Sequence, residues 1–158
     1  MSISDFLKNI IRHKGLFSAK TSLIDNYVYT LSVTSGAELT EAFKTFAEER
    51  KITHGSIRGI GAVKSATLRF FDPESKTYQD HVFDEQMEIA HLEGNISTLD
   101  GETYLHIHAV LGKSDCSTVA GHLLQAEIRG AGEFFVHAHS GKAPRKFSEE
   151  IGLNLYDF

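Results

Sequence analysis

The chain has 158 residues, 41% of them hydrophobic and 23% charged, which are the proportions of one folded globular domain and not of a disordered segment. No apolar run approaches the ~20 residues that cross a bilayer, and the one cysteine, Cys116, excludes an internal disulfide framework and suits a reducing cytoplasm. With 16 Lys and Arg against 21 Asp and Glu the formal charge is −5, which works against binding DNA phosphates through general electrostatics.

The first segment, MSISDFLKNIIRHKG, carries Asp5 early and has no long apolar stretch before a small-residue cleavage site, so a secretory signal is not expected. Phe6 and Ile10 recur at helical spacing, with Ser4 as N-cap and Gly15 as stop, which predicts a short helix within a 1–24 extension. Next, NYVYTLSV alternates and is rich in aromatic and β-branched residues, the pattern of a strand. In SGAELTEAFKTFAEERKI, Leu39, Ala42, Phe43, Phe46 and Ala47 share one helical face opposite the charges. Ser35 or Gly36 is expected near the start of that helix, and Glu38 suits its positive end.

Beyond the helix the sequence reads as β. GSIRGIGAV runs into SATLRFFD, DPES supplies a turn, and KTYQDHVFD pairs back. MEIAHLEGNIS, the turn LDGET, YLHIHAVLG, VAGHLLQAEI and GEFFVHAH follow as further strands. The expected fold class is α+β: an antiparallel sheet of meander or Greek-key type with one main covering helix, in a single domain. The domain spans 25–140, and residues 141–158 are expected to run along its surface.

The chemistry concentrates in TYLHIHAVLGKSDCSTVAGHLL. Side chains alternate across a strand, so His106 and His108 share one face while Leu105, Ile107 and Ala109 take the other. If the strand that returns after the loop pairs with the first, His122 comes beside them, and Gly121 lets the backbones approach closely. Three neutral imidazoles with an open fourth position match the preference of zinc. Such a site would weaken as pH falls below about 6.5. The same spacing also occurs on exposed strand faces that bind no metal. Glu88, Glu93 and Glu127 are candidate bases for a metal-bound water, although glutamates on strands are usually just solvated.

Other signals are weaker. His137 and His139 form a second pair with no evident third partner, as on an exposed edge strand. RGIGAV lacks the third glycine and the following helix of a dinucleotide loop, so its glycines are read as a sheet bend. No serine lies in a GxSxG turn, and Cys116 has no forced partner.

In their order along the chain, GIGA…ATL…FD, LHIHA and GHL resemble the PPC domain, the plants-and-prokaryotes-conserved domain, over roughly residues 26–139. The resemblance implies an antiparallel sheet fold and homotrimers. It also implies a regulatory role on DNA, the function by which the bacterial members are commonly labelled. It further implies a divalent metal, zinc above all, held by His106, His108 and His122. Two departures are visible: no Arg-Gly-Arg AT-hook reads a minor groove, and Ala120 stands where the family often has glycine. Two alternatives use the same histidines, a metal-dependent hydrolase and a trimer that binds a small anion at the metal.

Overall fold

The computed structural model describes residues 11–12, 19–23 and 27–158, with side chains from Tyr27 onward. The helix expected near the start lies outside the described residues, except for Ile11–Arg12. Those two form strand β1 and pair with β2 (Ala19–Leu23). β2 in turn lies antiparallel to β3 (Val28–Thr34), where alternation buries Leu31 and Val33.

Helix α1 (Leu39–Glu49) buries the five residues that the periodicity places on one face: Leu39, Ala42, Phe43, Phe46 and Ala47. Its N-cap is Glu38, whose carboxylate accepts from Thr40 N and Glu41 N at 3.1 and 2.6 Å. The same carboxylate accepts from Ala126 N at 2.9 Å, so one side chain caps the helix and ties it to the sheet. Phe43 meets Phe134 edge-to-face with ring centroids 4.8 Å apart.

Seven strands complete the ten-stranded sheet. They are β4 (Gly55–Asp72), β5 (Thr77–Phe83), β6 (Met87–Leu99), β7 (Glu102–Gly112), β8 (Thr118–Ala138), β9 (Pro144–Ser148) and β10 (Leu153–Tyr156). All pairings are antiparallel apart from β6 with β9. The turn at DPES is closed by the Asp72 carboxylate, which accepts from Glu74 N and from Ser75 Oγ. The β6–β7 turn puts Asp100 and Gly101 at positive φ, 53° and 88°, as an Asp-Gly hairpin requires.

The topology is not a simple meander, because β4 and β8 are long enough to change partners along their length. Residues 55–63 of β4 lie against β6, and residues 66–72 lie against β5. β8 pairs β7 over 118–122, and its later part runs between β3 and β4. Pairing of β4, β6, β7 and β8 in turn closes a ring around the core. Register shifts at Gly59, Gly61 and Val63 sit in the RGIGAV stretch, the sheet bend expected there.

The tail does more than cover the surface. β9 and β10 form a hairpin beside β6, and Ala143 and Arg145 are buried under it. Among the described residues no helix is long and apolar enough to cross a membrane.

Candidate metal centre

His106 and His108 stand on the outward face of β7, whose inward face buries Ile107 and Ala109. The β7–β8 ladder runs from Gly112↔Thr118 to His108↔His122, so its last rung places the third imidazole directly opposite the second. Gly121 lies one rung earlier, where a Cβ would sit 3.2 Å from the Arg69 carbonyl oxygen. A side chain at position 121 would therefore press on β4 behind the site. Gly94 plays the same part on the other flank: a Cβ there would lie 2.6 Å from the carbonyl oxygen of His106.

The three rings converge. Centroids are 5.1 Å apart for His106–His108 and for His106–His122, and 5.6 Å for His108–His122. The Nε2 atoms of His106 and His108 approach to 3.2 Å, and one nitrogen from each of the three rings lies within 4.8 Å of the others. His106 and His122 are half-buried and His108 is exposed, so the cluster opens to solvent on one side. The Nδ1 atom of His122 is buried and has no hydrogen-bond partner among the described residues. A buried imidazole nitrogen without a partner is costly unless something completes it.

Electrostatics favour the neutral form of the two half-buried rings, His106 and His122. Burial, with smaller contributions from His106, His108 and Arg69, pushes the His122 imidazole down to about 4. Burial, His108 and Arg145 lower His106 as well. Neutral rings are the form that ligates a cation. The donor set fits zinc: three imidazole nitrogens and room for a fourth ligand.

The surroundings are cationic and aromatic. Arg69, the register partner of His122, is held by Asp80 through bonds of 2.9 and 3.0 Å. Its guanidinium lies over Tyr78, whose ring is 5.5 Å from that of His122. A cavity of about 200 Å³ between α1 and the diverging ends of β7 and β8 is lined by His122, Tyr104 and Lys44.

The remaining candidates fall elsewhere. Glu93 is the register partner of His108, yet its carboxylate is exposed and lies 3.4 Å from His91 Nε2. Glu127 pairs with Lys64 at 3.2 Å, and Glu88 lines a different cavity with Arg129 and Glu133. His137 and His139 do not mark an edge strand: β8 has a neighbour on both sides at His137, namely Val28 and Ser56. His139 lies beside His54 instead, the rings tilted at 59° with centroids 4.9 Å apart.

Arg145 was legible only as one of several tail cations. It is buried, donating to Ser97 Oγ, Asn95 Oδ1 and the Asn154 carbonyl at 2.8, 2.8 and 2.7 Å. Nothing in the local pattern distinguishes it from Lys142 or Lys146, because its partners come from β6 and β10.

Residues 25–140 match the family profile described as the Plants and Prokaryotes Conserved (PCC) domain. Among solved structures, a candidate DNA-binding protein from Bacteroides thetaiotaomicron is 44% identical with TM-score 0.85, covering 91% of this chain and 99% of that one. A metal-containing protein from Archaeoglobus fulgidus is 34% identical with TM-score 0.79, covering 91% and 99%. A plant- and prokaryote-conserved protein from Pyrococcus horikoshii is 30% identical with TM-score 0.78, covering 92% and 97%. No curated protein matches the chain.

Proposed function

Since the chain belongs to the Plants and Prokaryotes Conserved domain family, we propose that it is a homotrimeric, metal-binding member in which His106, His108 and His122 hold a divalent ion, zinc by preference. The observation that carries this reading is the convergence of three imidazoles on one point, beside a buried His122 nitrogen that no group among the described residues satisfies. The similarity to a metal-containing protein from Archaeoglobus fulgidus supports it. When bound, the ion supplies a Lewis-acidic position at which a ligand or water replaces the missing fourth donor.

Elemental analysis of the purified protein tests the site. About one zinc per chain is expected, falling to near zero in His106→Ala and His122→Ala, as a three-ligand set requires. Full metal content in either variant would remove the assignment.

A second reading, a regulatory role on DNA, is supported by the likeness to the candidate DNA-binding protein of Bacteroides thetaiotaomicron. The charge distribution weighs against a strong electrostatic footprint. Of Lys64, Arg69, Lys142, Arg145 and Lys146, the first two are paired with Glu127 and Asp80 and Arg145 is buried, which leaves Lys142 and Lys146 exposed. Binding to an arbitrary duplex that falls steeply with added salt would favour this reading. No binding at low salt would dismiss it.

A further inference from the structure

The charge around the histidines is unbalanced. No acid belongs to the donor set, so a bound divalent ion would keep its full charge. Of the two arginines beside the site, Arg69 is neutralised by the Asp80 carboxylate, to which it donates two hydrogen bonds. Arg145 is not: it is 9% exposed, and each of its three hydrogen bonds goes to a neutral oxygen. Among the described residues no ion pair involves it. A buried cation without a counter-ion is expensive.

Its position is also specific. Arg145 donates to Asn95, the register partner of His106 across β6 and β7. The guanidinium lies over Tyr104, two residues before His106 on the same face of β7, at 5.1 Å from the ring centroid. Tyr156 flanks it at 4.2 Å. Three of its five N–H groups are used in fixing it, and two remain.

We infer that the ligand of this site is a small oxyanion, a carboxylate or phosphate group, which takes the open position on the metal with the Arg145 guanidinium as its charge partner. This rests on the metal reading above and names what the metal binds. A fork of N–H donors held rigidly by Ser97, Asn95 and the Asn154 carbonyl suits a planar or tetrahedral oxyanion.

Cobalt(II) in place of zinc makes the test visible, because its absorption bands report a change of ligand. The cobalt-loaded protein is titrated with acetate in one arm and with inorganic phosphate in the other, and the arm that shifts the bands names the ligand class. Two variants weaken the charge differently. Arg145→Met removes it, and Asn95→Asp sets a carboxylate where an oxygen already lies 2.8 Å from the guanidinium, without emptying the site. Both are expected to weaken anion affinity by about tenfold or more while cobalt content stays near one per chain. If Arg145→Met does not fold, Asn95→Asp decides alone. Cobalt-loaded wild type whose bands respond to neither anion overturns the inference and leaves the metal reading intact, as does equal affinity in the folded variants. Wild type that takes up no cobalt overturns both.

Discussion

His122 closes the β7–β8 ladder and is at the same time the partner of Arg69 on β4, so three strands fix one imidazole. Its lowered pKa has a consequence for the metal-free protein. Unfolded, the ring takes a proton near pH 6.5; folded, it stays neutral down to about 4. Within that window the unfolded state binds the extra proton, so stability falls as pH drops from about 6.5 towards 4 and is unaffected by this group above it. His106, shifted in the same direction, adds to the effect. Urea midpoints of metal-free protein at pH 7 and pH 5 are expected to differ more for wild type than for His122→Asn. Equal differences would mean that the ring is not held neutral. A second residue-scale prediction concerns Gly94, where an added Cβ would meet the His106 carbonyl at 2.6 Å and the Ile107 side chain at 2.7 Å. Gly94→Ala is expected to cost about 1–3 kcal/mol by overpacking and, by displacing β7 beneath His106, to weaken zinc in a chelator competition. Unchanged zinc affinity would show that the backbone yields elsewhere.

At the scale of elements, α1 was legible because its apolar residues recur with the helical period and all five are buried. The cap was only half legible. The sequence marks Glu38 as a residue suited to the dipole, but its bond to Ala126 N joins residues 88 apart and has no local trace. Glu38→Ala therefore removes a cap and a helix–sheet tether together, and about 1–3 kcal/mol of stability is expected to go with them. Thermal unfolding compared with Glu38→Gln would check this, the amide keeping acceptor capacity and losing charge. Phe43→Ala, at the edge-to-face contact with Phe134, is expected to cost more, about 3–5 kcal/mol. A smaller loss than in Glu38→Ala would mean that the helix is held by its end and not by its face. The strand pattern at LHIHA was equally plain, since period-two alternation settles which residues face the core. Which strand lies opposite stays conditional in the sequence, and the ladder His108↔His122 supplies the pairing.

At the scale of the whole molecule, β4 and β8 exchange partners midway and close a ring with β6 and β7. The outer surface keeps large apolar residues exposed, Ile60, Phe70, Val82 and Phe135 among them. Such exposure suits burial against further copies of the chain, as the homotrimer proposal requires. Light scattering behind size exclusion is expected to give three times the chain mass, and Val82→Lys with Phe135→Glu to shift it towards one. A monomer in wild type would discard the trimer.

Some features of this protein were determined by the sequence alone: the amphipathic helix, the Asp-Gly and DPES turns, and the pairing of His106 with His108 on one face. Each depends on neighbours a few residues apart, where backbone geometry leaves little freedom. Other features were decided only by tertiary structure. They are the ring of strands, the change of partners along β4 and β8, and the burial of Arg145 beside the histidines by a hairpin that the sequence shows as an ordinary basic tail. Those contacts join residues tens of positions apart. Their energy comes from packing and desolvation that no local pattern encodes, so a cation destined for the interior and one destined for water look the same until the chain has closed around one of them.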